Sequence, residues 1–581
     1  MKFKALVLFL LVSFTVALGG DDRANVRGLG MAGATTVTSR TIDAIGVNPA
    51  LLGYMGIASD SELKGKIVDS QTRQPIPGAR VEIKNLNLNA RANFSGEFSL
   101  KNVPPGTYTV VVTQKGYETL VIRNFRVSPN SKISGTIQIS REETGKETVV
   151  DFKNLDFEVK EQKPIIYNDN SDFTMSLIPQ MGAGIGMNFL SYNLYLDYFT
   201  GVDSAGQKVA RHLSDADKQK ILDSFDENLG TLIGQVDAKL INLAFHIKGV
   251  GIAIGARERV FSRFDISKDF MRFILYGNTP GSVFSYDVGV GGAWLREYSV
   301  SIGTKIPFDL IAVKNINVGL GVKFIQGFGY AETDGLNLTI ETADSTRGYE
   351  MTASMKGVVR RAGVDFLDPN KQDNVKFSPF PTPAGTGLGF DIGASAEVLG
   401  LFVAGISITD IGSVNWTKNA IIVSGDTSFK FSGYSTQEKL DSLRQSFEDY
   451  INSSDRKKYE SFSAGLPTAL RFGVATDLKN FLPFFPGRML ISADYFQPIG
   501  NKSIMFKKPK LALGVEWILI GFLPLRAGIS LGGFEGFALS AGTGINLPFL
   551  ELNLATGHLN QLMSGGDLRH FSIATELRLK F

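Results

Sequence analysis

The sequence has no cysteine, little net charge and only one long apolar run. Its 581 residues include 0 Cys and 4 His, and the formal net charge is +3. A chain without cysteine cannot be a disulfide scaffold, and the even balance of charges gives no reason to expect a nucleic-acid partner. Beyond the amino terminus, no apolar stretch approaches the roughly 18 residues that a transmembrane helix needs. Any part that spans a membrane therefore has to be a β-barrel.

The one long apolar run lies in the first segment, MKFKALVLFLLVSFTVALGG. Lys2 and Lys4 precede the run from Ala5 to Leu18, and small residues follow it. A membrane anchor would need about 20 apolar residues, so this shorter run has the layout of a secretory signal peptide. We expect residues 1–19 to be a signal peptide that is removed.

Alternation of apolar and polar side chains is abundant in the second part of the chain. In FSIATELRLKF the apolar side holds Phe571, Ile573, Thr575, Leu577, Leu579 and Phe581. About 10 alternating residues suit a strand that crosses a bilayer obliquely, and such strands must close on themselves in lipid. Segments 387–398, 315–324 and 488–496 repeat the pattern. The sequence therefore predicts an all-β protein with a transmembrane antiparallel β-barrel of about 14 strands over 171–581, with 12 or 16 as alternatives.

Long polar segments join the predicted strands at 201–238, 331–386 and 412–467, and their length is typical of barrel loops. Two of them contain helical patterns, at 214–225 and at 435–451, where Ser435 and Glu438 form a capping box. Such a helix either covers the pore as a lid or packs on the barrel rim. We favour packing, because an amphipathic stripe usually marks a packed face.

A different pattern precedes the barrel: short alternating runs separated by Pro-Gly and Ser-Gly turns, which indicate a small β-sandwich. The segment resembles the carboxypeptidase regulatory-like domain, which has a transthyretin-like fold. The matching residues are Gly65, Val68, Asp69, PIPGARV at 75–81, Gly96, Phe98, PPGTYTV at 104–110, Gly116 and Tyr117. We predict a β-sandwich at 61–140 and a charged linker at 141–170. Some members of this domain family are grouped with starch-binding-like folds. The resemblance therefore implies that the partner of the sandwich is either a protein or a glycan.

The segment VRGLGMAGATTVTSRTIDAIGVNPALLGY resembles the start of FadL-like outer-membrane proteins. Matching residues are Arg27, Gly30, Met31, Gly33, Ala34, Asp43, Asn48, Pro49 and Ala50. Near the other end, Gly514, Glu516, Leu525, Arg526 and Gly528 resemble a strand pair of PorV-like proteins. The family has Gly-Gly where this chain has Ala32-Gly33, and here a sandwich interrupts the chain.

The resemblance implies that residues 20–60, with the Asn-Pro-Ala motif, fold into the barrel as a hatch. The implied hatch residues are Arg27, Gly30, Gly33, Asp43, Asn48, Pro49 and Ala50, with the Asn48 amide tied to the wall. The implied location is the outer membrane of a Gram-negative-type bacterium, with membrane lipid around the barrel and the sandwich in the periplasm. The aromatic-ended strand resembles the signal read by the barrel-insertion machinery; Phe571, Leu577, Leu579 and Phe581 would carry it.

Two functions follow from the resemblance. The first is passage of a small hydrophobic molecule across the outer membrane. The alternative is a docking, secretion-accessory or envelope-organising barrel that does not transport and binds a periplasmic protein or glycan through its sandwich. No phosphate-binding loop, metal-spaced histidines or nucleophile motif is present, so we expect no enzyme activity and no cofactor.

Overall fold

The computed structural model describes most of the chain beyond the first residues. It covers residues 25–55, 61–84, 86, 88–101, 103, 106–127, 131–142, 145–161, 173–204, 207–209, 211–365, 378, 380–431, 457–500, 508–563 and 568–581. The predicted signal peptide at 1–19 and the predicted helix at 435–451 lie outside these residues. The chain divides into two compact units, one of Met1–Leu52 with Phe173–Phe581 and one of Gly53–Asp172.

The unit Gly53–Asp172 is a β-sandwich. Its strands are Glu62–Asp69 (β1), Arg80–Ile83 (β2), Leu88–Arg91 (β3), Glu97–Leu100 (β4), Gly106–Thr113 (β5), Thr119–Val127 (β6), Ser131–Ile139 (β7), Glu147–Asp151 (β8) and Phe157–Glu161 (β9). They form two sheets, in the orders β4-β1-β7-β9 and β3-β2-β5-β6-β8. Apolar side chains of both sheets, among them Ile67, Val112 and Phe125, are fully buried between them. The alternation seen in the sequence thus forms one apolar core.

The predicted linker at 141–170 is wrong over much of its length. Strand β8 pairs in parallel with β6, and β9 pairs antiparallel with β7. Phe152, Leu155 and Phe157 pack against the sandwich core. Charged residues dominate this segment because both strands lie at sheet edges, where one face meets solvent. Residues 162–170 lie outside the described part of the chain.

Asp69, one of the residues matching the sandwich family, fixes the turn after β1. Its carboxylate accepts the backbone N–H groups of Thr72 and Gln71, at 2.9 and 3.0 Å, and the Nε–H of Arg141 at 3.0 Å. The Thr72 bond is the largest of the effects that hold the pKa of Asp69 well below its usual range. Because the folded-state pKa is depressed, this contribution to sandwich stability is present above about pH 4 and is lost as the pH falls further.

The second unit contains a closed antiparallel barrel. Its strands are Phe173–Met187 (β10), Val202–Ser204 (β11), Gln207–Val209 (β12), Leu229–Ile247 (β13), Val250–Ser267 (β14), Val283–Asp287 (β15), Gly289–Lys305 (β16), Val313–Thr342 (β17), Met351–Gly363 (β18), Gly385–Val398 (β19), Phe402–Trp416 (β20), Ile421–Phe431 (β21), Lys457–Lys458 (β22), Phe462–Gly465 (β23), Ala469–Asp477 (β24), Arg488–Pro498 (β25), Lys510–Ile518 (β26), Pro524–Gly532 (β27), Ala538–Asn546 (β28), Leu550–Gly557 (β29) and His570–Lys580 (β30).

Fourteen of these strands form the ring: β10, β13, β14, β16, β17, β19, β20 and β24 to β30. Strand β30 pairs with β10 and closes it. We call the end where Phe173 and Phe581 exchange backbone hydrogen bonds, at 3.1 and 2.9 Å, the near end. The opposite end, with the longer connections, is the far end. The predicted fold class and strand number are confirmed.

The outer face of the ring is apolar. Leu388, Ile406, Phe472 and Leu513 are about half exposed on it, while the alternate side chains of their strands point into the lumen. An apolar band outside and a polar interior are the arrangement of a barrel that crosses a membrane. Among the described residues, no helix is long and apolar enough to span one.

The predicted loops at 201–238, 331–386 and 412–467 are partly wrong, because strands continue into them. Strand β13 begins at Leu229, β17 runs to Thr342, and β18 and β21 pair with each other beyond the ring. Strands β15, β18, β21, β22 and β23 raise the wall at the far end. The apolar–polar alternation weakens there because these strands extend past the apolar band. Both faces of the sheet can then be polar, while the backbone hydrogen bonds between strands continue.

Within the described residues, five short α-helices accompany the barrel: Val26–Gly30 (α1), Tyr192–Phe199 (α2), Asp215–Asp223 (α3), Lys268–Tyr276 (α4) and Leu559–Met563 (α5). The helix predicted at 214–225 is confirmed as α3, and a capping box of Ser214 and Asp217 starts it. Its apolar residues Ile221 and Leu222 pack with Tyr198 and Met271. This helix therefore packs against its neighbours, as we expected.

Candidate functional site

Residues 25–52 lie inside the barrel, and we call them the hatch. The segment holds α1 and two 3₁₀ turns, Thr41–Ala44 and Pro49–Tyr54, the second of which runs past the hatch. Asn25 starts α1 as its N-cap by accepting the N–H of Gly28 at 2.8 Å. Nearly every hatch side chain is buried, the polar ones included. A segment with so little regular structure can be buried only where the wall supplies partners for its polar groups.

The wall approaches the hatch through glycines. Nine inward-facing glycines, which we call the glycine belt, are Gly251, Gly255, Gly319, Gly393, Gly405, Gly473, Gly514, Gly528 and Gly542. A Cβ at any of them would lie within 3.2 Å of a hatch atom. At Gly319 it would lie 2.3 Å from the Ala50 backbone nitrogen, and at Gly528 it would lie 2.4 Å from the Met31 carbonyl carbon. The hatch thus packs its backbone directly against the wall, which only glycine permits.

Ion pairs hold the hatch on the side of β26 to β30. Arg27 donates to both carboxylate oxygens of Glu516, at 3.0 and 2.7 Å, and Arg526 donates to the same carboxylate at 2.6 Å. Asp43 pairs with Arg578 at 3.0 Å. These groups are almost completely buried, so the loss of one partner would leave an uncompensated charge.

Backbone groups of the hatch are held on the side of β19 to β25. The Asp494 carboxylate accepts the N–H groups of Thr35 and Thr36, at 2.8 and 2.6 Å. The Asn48 amide donates to the carbonyl oxygens of Thr36 at 3.0 Å and of Ala394, on the wall, at 3.4 Å. Wall side chains and a wall carbonyl therefore satisfy buried backbone and amide groups of the hatch on this side of the lumen.

The remaining predicted hatch residues also lie at this contact. Gly30 faces Gly542 and the Arg526 side chain, and Pro49 and Ala50 rest on Gly319. Gly33 has φ +99°, and Ala32, which stands where the family has glycine, has φ +57°. An alanine in the left-handed region costs free energy, so close packing on Gly528 holds it there.

The four residues of the predicted assembly signal lie elsewhere. Phe571, Leu577 and Leu579 point to the outer face of β30, and Phe581 follows it, two-thirds exposed and 6.2 Å from the Phe173 ring. They belong to the seam that closes the barrel and do not touch the hatch. Their role in insertion stays a prediction.

A charged network lies on the far side of the hatch, along β13 to β20. Lys323 pairs with Asp391 at 2.8 Å and with Asp410. Arg259 pairs with Asp410 at 2.9 Å and with Glu297 at 2.8 Å. Each of these side chains is nearly fully buried and has an oppositely charged partner. The network fills the lumen without leaving a free charge among its members.

Beyond this network the lumen becomes apolar. We call the following buried residues the aromatic layer: Phe261, Leu295, Ile325, Tyr330, Trp416, Phe462, Leu466 and Phe496. The Tyr330 ring centroid lies 5.2 Å from that of Trp416 and 5.7 Å from that of Phe462. Trp416 is 1% exposed and lies across Gly327, where a Cβ would be 2.4 Å from its ring. Side chains of β14 to β25 thus form an apolar barrier across part of the lumen.

The rest of the lumen at this height, along β26 to β30, is polar. His558 and His570 stack with ring centroids 5.2 Å apart. His558 Nε2 lies 3.4 Å from a carboxylate oxygen of Glu535, and His558 Nδ1 lies 3.4 Å from the Ser572 hydroxyl. The lumen is therefore divided beyond the hatch into an apolar side and a polar side.

Of the glycine belt, sequence reasoning named only Gly514 and Gly528, through their resemblance to a PorV-like strand pair, and it missed Asp494 and the aromatic layer. The belt carries a usable signal, since its glycines occupy inward positions in strands whose outward neighbours are apolar. Asp494 carries no such signal in the sequence, because it occupies an inward position in an alternating strand, as any other polar lumen residue does. Within the described residues, no group of three or more His, Asp or Glu side chains is placed to hold a metal ion.

Fold and site together define a transmembrane β-barrel whose lumen is closed by an internal hatch. The chain belongs to a family of unknown function, DUF5723, whose model matches residues 167–557. A carboxypeptidase regulatory-like domain model matches residues 62–140. No curated protein matches the chain.

Solved structures that resemble the barrel are distant. A FadL homologue of Pseudomonas aeruginosa is 10% identical with a TM-score of 0.37, and the match covers 98% of this chain and 99% of that one. The toluene transporter TbuX of Ralstonia pickettii is 9% identical with a TM-score of 0.32, over 71% of this chain and 90% of that one. Neither structure is similar enough to this chain to indicate its substrate.

A chain of a cohesin–X-dockerin complex from Acetivibrio cellulolyticus is 32% identical to a part of this chain, with a TM-score of 0.13. The match covers 14% of this chain and 58% of that one. This chain thus spans just over half the length of that relative.

Proposed function

We propose that this protein lies in the outer membrane of a Gram-negative-type bacterium and passes small hydrophobic molecules through its lumen. The observation that carries the proposal is the aromatic layer. A barrel that admits water-soluble molecules lines its path with polar groups, whereas here the lumen beyond the hatch presents Phe261, Trp416 and Phe462. An apolar molecule that enters from the far end meets side chains in which it can dissolve.

In this function the hatch blocks polar solutes, and it must move before a transported molecule can leave the lumen. Its contacts are ion pairs, hydrogen bonds and glycine packing, all of which can re-form after it is displaced. The sandwich would lie in the periplasm, where the chain leaves the hatch and returns to β10.

The direct test is the identity of bound molecules. We expect mass spectrometry of the detergent-extracted full chain to find a small apolar ligand that is present at lower occupancy in Phe261→Asp, which places a charge in the aromatic layer. Phe472→Leu, a change on the outer face, is the matched control and should keep the ligand. Recovery of only polar molecules, or equal recovery from both variants, would contradict passage of hydrophobic molecules.

Docking without transport is the second candidate, and Phe94 favours it. This side chain is 96% exposed in a sandwich turn, a position that a bound partner would cover. Because β8 and β9 belong to the sandwich, the domain to delete or isolate is 61–161. If the isolated domain retains an envelope protein or glycan and the deletion abolishes the phenotype while ligand binding is absent, docking replaces passage.

We assign the protein no catalytic activity. Ser572, His558 and Glu535 lie in the order of a hydrolase triad, but Ser572 is fully buried against the wall. A nucleophile must meet its substrate. Hydrolysis of a chromogenic ester by the purified barrel, lost in Ser572→Ala, would overturn this assignment.

A further inference from the structure

A small cavity lies between the hatch and the polar side of the lumen. Its volume is about 20 Å³, which is room for about one water molecule. The hatch contributes residues from Gly28 to Thr35. The wall contributes six polar side chains: Arg471, Lys510, Ser530, Glu535, Ser540 and His558.

Arg471 lines this cavity, and among the described residues its side chain lacks hydrogen-bond partners. It is 4% exposed, and its Nε has no hydrogen-bond partner. Within the described residues it makes no ion pair; its guanidinium lies 4.5 Å from the centre of the Phe496 ring. A buried guanidinium has five donors and no acceptor, so its burial is costly unless an acceptor is nearby.

The carboxylates near Arg471 are already engaged. Asp494 interacts with it electrostatically, but the Asp494 oxygens accept hydrogen bonds from the hatch amides of Thr35 and Thr36 and from Ser492. Glu535 lies 3.5 Å from the Lys510 ammonium and 3.4 Å from His558. Neither carboxylate is therefore left to satisfy the guanidinium.

We propose that this cavity binds one monatomic anion, of which chloride is the common case. Arg471 supplies the positive charge that no ion pair compensates, Lys510 lies beside it in its pair with Glu535, and the hydroxyls of Ser530 and Ser540 can donate further contacts. The volume, which is room for about one water molecule, suits an ion of a single atom. A water molecule also fits by size, and the Glu535 carboxylate and the two hydroxyls can accept its hydrogen bonds, so the halide dependence tested below is what distinguishes an anion from water.

The anion has a structural consequence for the hatch. It lies between cationic wall residues and the hatch segment from Gly28 to Thr35, so its binding stabilises the seated hatch over a displaced one. This inference uses the position of the hatch alone and is independent of what the barrel transports.

Bromide provides the test, because it replaces chloride and scatters anomalously. We expect crystals of the full chain grown or soaked in sodium bromide to show an anomalous peak between Arg471 and Lys510. In detergent, the thermal unfolding midpoint should rise with chloride or bromide concentration and should not rise with sodium gluconate at equal ionic strength. Absence of the peak, or an equal effect of gluconate, would overturn the proposal.

Variants localise the effect. Arg471→Met and Lys510→Met should lose the peak and the halide-dependent shift. Lys508→Met removes a neighbouring lysine whose partner is the exposed Glu227, at 2.7 Å, and should keep both. If a lumen variant fails to insert, the anomalous peak of the wild type and the dependence of its thermal midpoint on halide concentration still test the proposal. Retention of the peak in both lumen variants would contradict the site.

Discussion

The hatch and the aromatic layer close the same lumen by opposite chemistry. The hatch seals by backbone packed on glycine, with Arg27, Asp43 and Asp494 joining it to the wall. The aromatic layer seals with apolar side chains of the wall itself. The first barrier stops solutes of any kind until the segment moves, whereas the second admits molecules that can leave water. Damage to the two should therefore be distinguishable by the solute that leaks.

Gly528→Val should have the largest effect, because it removes the packing on which the hatch depends. A Cβ at this position would lie 2.4 Å from the Met31 carbonyl carbon, and backbone cannot turn aside as a side chain can. We expect the barrel to form with the hatch displaced, and swelling of proteoliposomes in a small sugar to become roughly tenfold faster or more.

Gly465→Val is its matched control. A Cβ at Gly465 meets nothing within 4 Å, so both insertion and sugar exclusion should match the wild type. Equal exclusion of sugar by Gly528→Val and Gly465→Val would mean that the hatch is not the polar barrier.

Arg27→Met should loosen the hatch without displacing it. The change removes two charged hydrogen bonds to Glu516, but Arg526 still pairs with that carboxylate. A loss of about 1.5–3 kcal/mol corresponds to opening about ten- to hundredfold more often. Hydrogen exchange of hatch amides measures this, with the surface change Arg272→Met as control. Unchanged exchange in Arg27→Met would show that this ion pair does not seat the hatch.

Trp416→Ala should affect the other barrier alone. Loss of the contact with Tyr330, worth about 1 kcal/mol, leaves an apolar space that stays dry and can take a benzene-sized molecule. We expect entry of an apolar fluorophore into intact cells to rise about fivefold while sugar leakage stays unchanged. The outward-facing Trp517→Ala is the control. Faster sugar leakage in Trp416→Ala would show that the two barriers do not select different solutes.

Asn48→Ala should have the smallest effect. It removes three hydrogen bonds between neutral groups: the amide donates to Thr36 at 3.0 Å and to Ala394 at 3.4 Å, and its oxygen accepts the Ala50 N–H at 3.1 Å. About 1 kcal/mol of hatch stability should be lost, which hydrogen exchange would show as about fivefold faster opening near the motif. Sugar exclusion should persist. An effect as large as that of Arg27→Met would place the main anchor at Asn48.

The barrel was predictable because its outer face must be apolar along every strand, which repeats the same pattern many times. The contents of the lumen were less predictable, for a reason visible in β17 and β20. A register shift in β17, opposite Trp294 and Leu295, and one in β20, opposite Phe390 and Ile392, interrupt the two-residue period. Tyr330 and Trp416 then face inward, where alternation continued from the near end predicts that they face outward.

The hatch shows the other limit. Its resemblance to a known segment indicated residues that lie at the contact with the wall, but it did not indicate Asp494 or most of the glycine belt, which meet the hatch only in the folded barrel. Likewise, β8 and β9 look like a charged linker because an edge strand needs only one apolar face.

The most direct test of the central claim compares two solutes in the same cells. Bacteria whose lipopolysaccharide excludes both an apolar fluorophore and a small sugar should, on expressing the full chain, take up the fluorophore faster and the sugar no faster. The increase should vanish in Phe261→Asp. Entry of both solutes together, or no gain of the fluorophore at matched barrel levels, would contradict selective passage of hydrophobic molecules.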